Sequence, residues 1–293
     1  MTATRTPATA ARLLLASRPL SWINTAYPFA AAYLLTTREI DLALVVGTLF
    51  FLIPYNLAMY GINDVFDHAS DAANPRKGGA EGALLDPSVH RVTLRVAVLL
   101  ALPFVAVLVT LGGPASWLVL GVSLFAVAAY SVPVLRFKER PFLDSLTSST
   151  HFVSPAVYGF ALAGAAFTPT QLTVLAAFLA WGVAAHAFGA VQDVVPDRAG
   201  DIASVATVLG AARTVRFALS MWVCAAVLML TTPWPGPLAA LLVAPYLLAA
   251  APYVRLSDAD SYRANAGWRR FLAINYAVGF LVTMLLIWVT LFP

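Results

Sequence analysis

The sequence predicts an all-α integral membrane protein, and three observations predict it. The 293 residues are 60% hydrophobic and only 11% charged, with a mean hydropathy of +0.81, whereas soluble domains carry about 25% charged residues. Apolar stretches of near 20 residues recur along the chain, the length a helix needs to cross a hydrocarbon core of about 30 Å. The charges gather in alternate connections between those stretches. So few charges cannot cover a soluble surface of this size.

Taken in order, the first eighteen residues carry Arg5, Arg12 and Arg18 with no apolar core before Leu13. They read as a cytoplasmic tail over 1–18 and not as a cleaved signal peptide. A hydropathy window then predicts nine transmembrane helices, over 19–37, 42–62, 92–111, 115–134, 143–166, 170–191, 215–232, 236–254 and 271–291. Residues 1–293 are expected to form a single membrane-embedded domain. Gly112-Gly113-Pro114, Thr168-Pro169-Thr170 and Thr231 to Pro237 are short uncharged turns with helix-breaking residues. The intervening connections are long and charged.

Placing the N-terminus and every even-numbered connection on one side puts all 18 Lys and Arg there except Arg38. The 14 acids follow the same partition, except Glu39 and Asp41. Cytoplasmic loops are enriched in Lys and Arg, so that side is cytoplasmic, and the C-terminus is external in the inner membrane. The formal charge of +4 and pI near 9.4 then express this bias and not a nucleic-acid partner. Cys224 stands alone in an apolar run, which excludes a disulfide framework or a cysteine metal site.

Polar chemistry is therefore expected at the cytoplasmic mouth. The second span ends in Asn63-Asp64-Val65-Phe66-Asp67-His68-Ala69-Ser70-Asp71. On a helix Asp64, Asp67 and Asp71 share one face, with Asn63 beside them and Tyr60 and Asn56 one and two turns deeper. The sixth span ends in Asp193-Val194-Val195-Pro196-Asp197-Arg198-Ala199-Gly200-Asp201. Its acids recur every four residues, again on one helical face, and Pro196 is expected to bend or restart the helix. Clustered carboxylates repel, and a cation is the natural compensation. Oxygen-only ligands favour a hard ion, and magnesium takes one or two carboxylates together with substrate phosphates. Asp64, Asp67, Asp71, Asp193, Asp197 and Asp201 are thus candidate metal ligands for a diphosphate-bound ion. The alternative, a solvated loop with scattered acids, does not account for two matching clusters on one side. Arg76 and Lys77, with Arg136, Lys138 and Arg140 after Tyr130, supply cations and a hydroxyl for phosphate oxygens. Ordinary positive-inside flanking is the alternative for any one of these taken alone.

These residues resemble the UbiA superfamily of intramembrane prenyltransferases. Its signature N-D-x-x-D-x-x-x-D stands as Asn63, Asp64, Asp67 and Asp71, its D-x-x-x-D as Asp193 and Asp197, and its tyrosine-serine pair and lysine as Tyr130, Ser131 and Lys138. Within the superfamily, Ser17 to Ala32, Ile53 to Asp67 and Asn74 to Asp86 are similar to lycopene elongases. The resemblance implies nine helices around a central cavity and two magnesium ions on the donor diphosphate. It also implies transfer of a dimethylallyl group from dimethylallyl diphosphate, by way of an allylic cation, to the ends of lycopene in a lipid-open pocket. Asp64, Asp67, Asp193, Asp197, Tyr60 and Tyr130 are the expected catalytic residues. Asn63, Arg76, Lys77, Lys138, Asn56 and His186 are the expected substrate contacts. His186 and Asn56 lie inside spans, where polar groups mark function or bridge helices. A quinone precursor, chlorophyllide or lipid alcohol is the alternative acceptor. A cation or phosphate transporter is the alternative class, disfavoured because transporters place ion sites near the midplane.

Overall fold

The computed structural model describes residues 9–73 and 84–291, and every regular element among them is helical. The α-helices are α1 (Thr9–Ala16), α2 (Ile23–Thr37), α3 (Leu42–Leu52), α4 (Pro54–Phe66), α5 (His68–Ala73), α6 (His90–Leu111), α7 (Pro114–Ser131) and α8 (Leu143–Leu162). There follow α9 (Pro169–Ala190), α10 (Val194–Ala199), α11 (Val205–Leu209), α12 (Ala211–Leu230), α13 (Leu238–Leu241), α14 (Ala244–Ala250) and α15 (Ala264–Leu291). Six stretches among the described residues are long and apolar enough to cross a membrane: Leu42–Phe66, Pro87–Leu111, Pro114–Ser131, Pro169–Ala199, Ala211–Leu230 and Ser261–Leu291. The chain is therefore a multi-pass membrane protein. The other three predicted spans correspond to α2, α8 and the α13–α14 pair. Of these, α2 has 15 residues, α8 is interrupted by Ser, Thr and His, and Leu238–Tyr253 is a shorter apolar stretch.

The chain divides into two compact units, one running to Arg136 with Ser154–Ala165 and one comprising Phe137–Val153 with the chain from Ala166 onward. In the first unit α4 packs on α6 and α7, and α3 on α2 and α6. An aromatic core of Phe29, Phe50, Phe51, Tyr55 and Tyr158 is fully buried, with ring centroids 5.1 Å apart for Phe51–Tyr55 and 5.3 Å for Phe29–Phe51. Gly159 permits this packing, because a Cβ there would stand 2.8 Å from the Phe29 carbonyl oxygen. Small residues at helix crossings let backbones approach where lipid supplies no hydrophobic drive.

The long stretch Leu42–Phe66 breaks at Ile53, ahead of Pro54. Proline donates no N–H and crowds the preceding turn, so carbonyls near the break need other donors. Thr25 Oγ1 donates to the Phe51 carbonyl at 2.7 Å. Asn56 Nδ2 lies 2.7 Å from Thr25 Oγ1, 2.8 Å from the Phe51 carbonyl oxygen and 3.1 Å from that of Leu52. The residue is fully buried, and its amide nitrogen closes the helix break and ties it to α2.

In the second unit α9 packs along α12, and α14 on α15. Trp181, Phe188, Trp222, Tyr246 and Phe271 form a second aromatic core, with Trp222 and Tyr246 stacked at 5.7 Å. Gly267 admits the Tyr253 ring, which would lie 2.5 Å from a Cβ at that position. Outside these cores Leu99, Leu102, Leu118, Phe125, Leu248 and Phe280 are exposed, as a lipid-facing surface requires.

Candidate active site

The first acidic segment is built at the C-terminus of α4. Asp67 is the C-cap of α4, its N–H bonded to the Asn63 carbonyl at 2.9 Å, and the Asp71 N–H bonds the Asp67 carbonyl at 2.8 Å. The helical path thus runs almost unbroken from Asp64 to Asp71. Asp64, Asp67 and Asp71 are 1%, 6% and 8% exposed. Buried carboxylates demand positive partners. Arg18 Nη2 donates to Asp64 Oδ1 at 2.9 Å, and Arg136 Nη2 lies 3.9 Å from Asp67 Oδ1. The Arg18 guanidinium also sits over the Tyr60 ring, 4.3 Å from its centroid. Its backbone takes a left-handed φ of 51° before the turn Pro19–Ser21, and the Trp22 indole secures that turn by donating to the Ser17 carbonyl at 3.0 Å. Ser131 Oγ donates to Asn63 Oδ1 at 2.9 Å, fixing the amide beside the carboxylates.

The second acidic segment is built differently. After α9 the chain tightens into a 3-10 turn, Val191–Asp193, then restarts as α10 with Pro196 in its first turns. Helix α10 ends in a reversal. The Ile202 N–H bonds the Asp197 carbonyl at 2.8 Å, the Asp201 N–H approaches the Arg198 carbonyl at 3.3 Å, and Asp201 has φ of 54°. This is a Schellman closure with an aspartate where glycine is usual. It corrects the expected single face for Asp193, Asp197 and Asp201. The helix restarts between the first two, and the third stands beyond the helix end, exposed to solvent. Asp201→Gly removes the left-handed Cβ penalty of about 1 kcal/mol. The expected result is a melting temperature equal to or above wild type with reduced activity. Full activity in this variant would remove Asp201 from the ligand set.

Deeper in the same unit, Ser145 Oγ lies 3.0 Å from His186 Nδ1. Asp144, fully buried, accepts from the Ser145 N–H at 2.7 Å and from the Val205 N–H at 2.8 Å. His186 is therefore seated on α8 through Ser145. Lys138 Nζ lies 3.8 Å from Glu139 Oε1 in this unit, and Tyr130 closes α7 in the first unit, next to Ser131. Arg76 and Lys77 lie outside the described residues. Arg18, Asp144 and Ser145 were not among the expected site residues, and Ser131 stood only in the signature pair with Tyr130. Arg18 stood only as a flanking charge, and nothing within a few residues of it signals Asp64.

Among the described residues no three His, Cys, Asp or Glu side chains form a metal cage. The donor set of aspartate oxygens with an asparagine carbonyl nonetheless fits a hard divalent ion. Magnesium in particular keeps water and substrate phosphate in its shell and needs few protein ligands.

Fold and site together define an all-helical, multi-pass membrane protein with paired acidic segments at helix ends. Residues 25–277 match the UbiA prenyltransferase family, and the chain belongs to that family: it is a prenyl-transferring enzyme. It is 48% identical, over 94% of its length and 96% of theirs, to a lycopene elongase/hydratase of Corynebacterium glutamicum. It is 54% identical to the C(50) beta-cyclic carotenoids biosynthesis protein LbtBC of a Dietzia species, covering 97% of this chain and 66% of that one. Among solved structures, a UbiA homologue from Archaeoglobus fulgidus bound to DMAPP and Mg2+ shares the fold, with a TM-score of 0.65 and 16% identity over 91% of this chain and 98% of that one.

Proposed function

We propose that this protein transfers a dimethylallyl group from its diphosphate to each end of lycopene, lengthening the carotenoid. The observation that carries this reading is the 48% identity to lycopene elongase/hydratase over nearly the whole of both chains, joined to a buried Asp64/Asp67/Asp71 segment. On this reading Asp64, Asp67, Asp71, Asp193, Asp197 and Asp201 hold two magnesium ions on the donor. Bound there, the ions make the diphosphate a better leaving group by taking up its charge.

The chain's own residues do the rest. Arg18 and Arg136, held at the first segment by Asp64 and Asp67, complement phosphate oxygens, with Arg76, Lys77 and Lys138 as further cations and Tyr130 as a hydroxyl donor. Asn63 is oriented by Ser131. The donor C–O bond breaks with its electron pair going to the diphosphate, leaving an allylic cation. Aromatic faces such as Tyr60 stabilise nearby cations by roughly 0.5–2 kcal/mol. The terminal double bond of lycopene attacks, and the resulting tertiary cation loses a proton or captures water. His186, held by Ser145, is the candidate polar contact on the acceptor side. We read the chain as one domain of nine spans, with its N-terminus and acidic segments cytoplasmic. That topology is supported by the partition of basic residues.

The test is incubation of membranes holding the protein with lycopene, dimethylallyl diphosphate and magnesium, followed by mass analysis. Products longer by five-carbon units, formed only with magnesium, are expected. Unconsumed lycopene beside turnover of a quinone precursor or lipid alcohol would overturn the acceptor assignment.

A further inference from the structure

The chain that follows the second acidic segment is held by a side-chain clamp inside the second unit. Arg198 lies between Asp197 and Asp201, where a phosphate-binding arginine would be expected, yet its guanidinium is committed to the protein. Nε and Nη2 donate to the Thr207 carbonyl at 3.0 and 2.7 Å, and Nη1 donates to Asp258 Oδ2 at 2.6 Å. The other Asp258 oxygen accepts the Ala211 N–H at 2.7 Å, at the start of α12. Gly210, with φ of 79°, makes this approach possible, since a Cβ there would stand 2.9 Å from Asp258 Oδ1. The Ala211 N–H and then Arg198 hold the Asp258 carboxyl below its ordinary range. Its stabilising contact is therefore present above about pH 4 and lost as pH falls through the lowered folded value. Helix α10 has six residues, too few to be stable by itself. The orientation of Asp197 thus depends on what anchors the neighbouring Arg198.

We propose that Arg198 and Asp258 are positioning residues for the donor end of the site, holding the segment from Asp197 to Ala211 so that the second set of carboxylates is set for the metal-bound diphosphate. This rests on the donor chemistry proposed above. It makes Arg198 a strut and not a phosphate ligand.

The test uses the full chain in detergent. Arg198→Gln, Arg198→Lys, Asp258→Asn and the Arg198→Gln/Asp258→Asn double variant are compared by dimethylallyl diphosphate affinity in magnesium, melting temperature and hydrogen exchange over 199–211. Each glutamine or asparagine variant is expected to weaken donor binding by about ten-fold and to speed exchange in the segment, with melting temperature near wild type. The double variant should be no worse than either single one, because both act through one clamp, and Arg198→Lys should lie between. Three results would overturn the proposal: wild-type donor affinity in both single variants, effects that multiply in the double variant, or a lower melting temperature with donor affinity unchanged. Because binding is read without an acceptor, a different acceptor leaves the result intact. If wild type binds no isoprenyl diphosphate, the donor reading falls and this proposal falls with it. The exchange arm then still reports whether the pair orders the segment.

Discussion

Asp64→Ala and Asp193→Ala are each expected to reduce diphosphate release from dimethylallyl diphosphate by a factor on the order of 10² to 10³, without loss of membrane insertion. The factor is that of removing one preorganised group from a centre that stabilises developing charge. Insertion is governed by the apolar length of the spans, and each substitution replaces a charged residue near the end of its span with alanine, leaving that length intact. The two losses have different structural companions. Asp64 is buried against Arg18, so its truncation also leaves a guanidinium without that partner. Asp193 lies at the join between a 3-10 turn and α10 and is partly exposed, so its truncation perturbs the fold less. Donor turnover measured on purified protein, with circular dichroism as the control, separates the two. Appreciable turnover in both variants would contradict the metal-binding assignment.

Arg18→Met is expected to cost about 3 kcal/mol of stability, because it takes a close cationic partner away from a buried carboxylate. The pair is close, at 2.9 Å, and the Asp64 side chain is fully buried while Arg18 is a quarter exposed. Arg18→Met/Asp64→Asn should recover most of that stability, since no uncompensated charge remains, yet stay inactive. The comparison separates a structural ion pair from a functional one. If the double variant melts as low as Arg18→Met, the cost comes from lost packing over Tyr60 and not from the lost charge pairing. If Arg18→Met melts like wild type, the remaining surroundings of Asp64 suffice for its charge, and Arg18 belongs to substrate binding alone.

Much of this molecule was legible from local pattern. Apolar length announced the membrane class, and period and composition located both acidic segments. Asn63, Asp64, Asp67 and Asp71 lie on a nearly continuous helical path because i, i+3 and i+7 geometry is a property of the backbone. The same reasoning failed at Asp201, because a Schellman reversal replaced the third turn, with the left-handed position falling on Asp201 and not on the neighbouring Gly200. Nor did local pattern show that the carbonyls ahead of Pro54 take the Asn56 amide as a donor, because that need arises only from the helix break.

The amino-acid sequence by itself determined that this chain lives in a bilayer, carries its acids at helix ends and belongs with enzymes that handle diphosphates. Those traits follow from composition and from spacing within one or two helical turns. Tertiary structure alone decided which cation neutralises which acid: Arg18 with Asp64, 46 residues apart, and Arg198 with Asp258, 60 apart. It likewise seated His186 on Ser145 across 41 residues. Such pairings depend on how close two helices can come, which is set by side-chain fit at contacts such as Gly159 against Phe29 and has no signature in local periodicity.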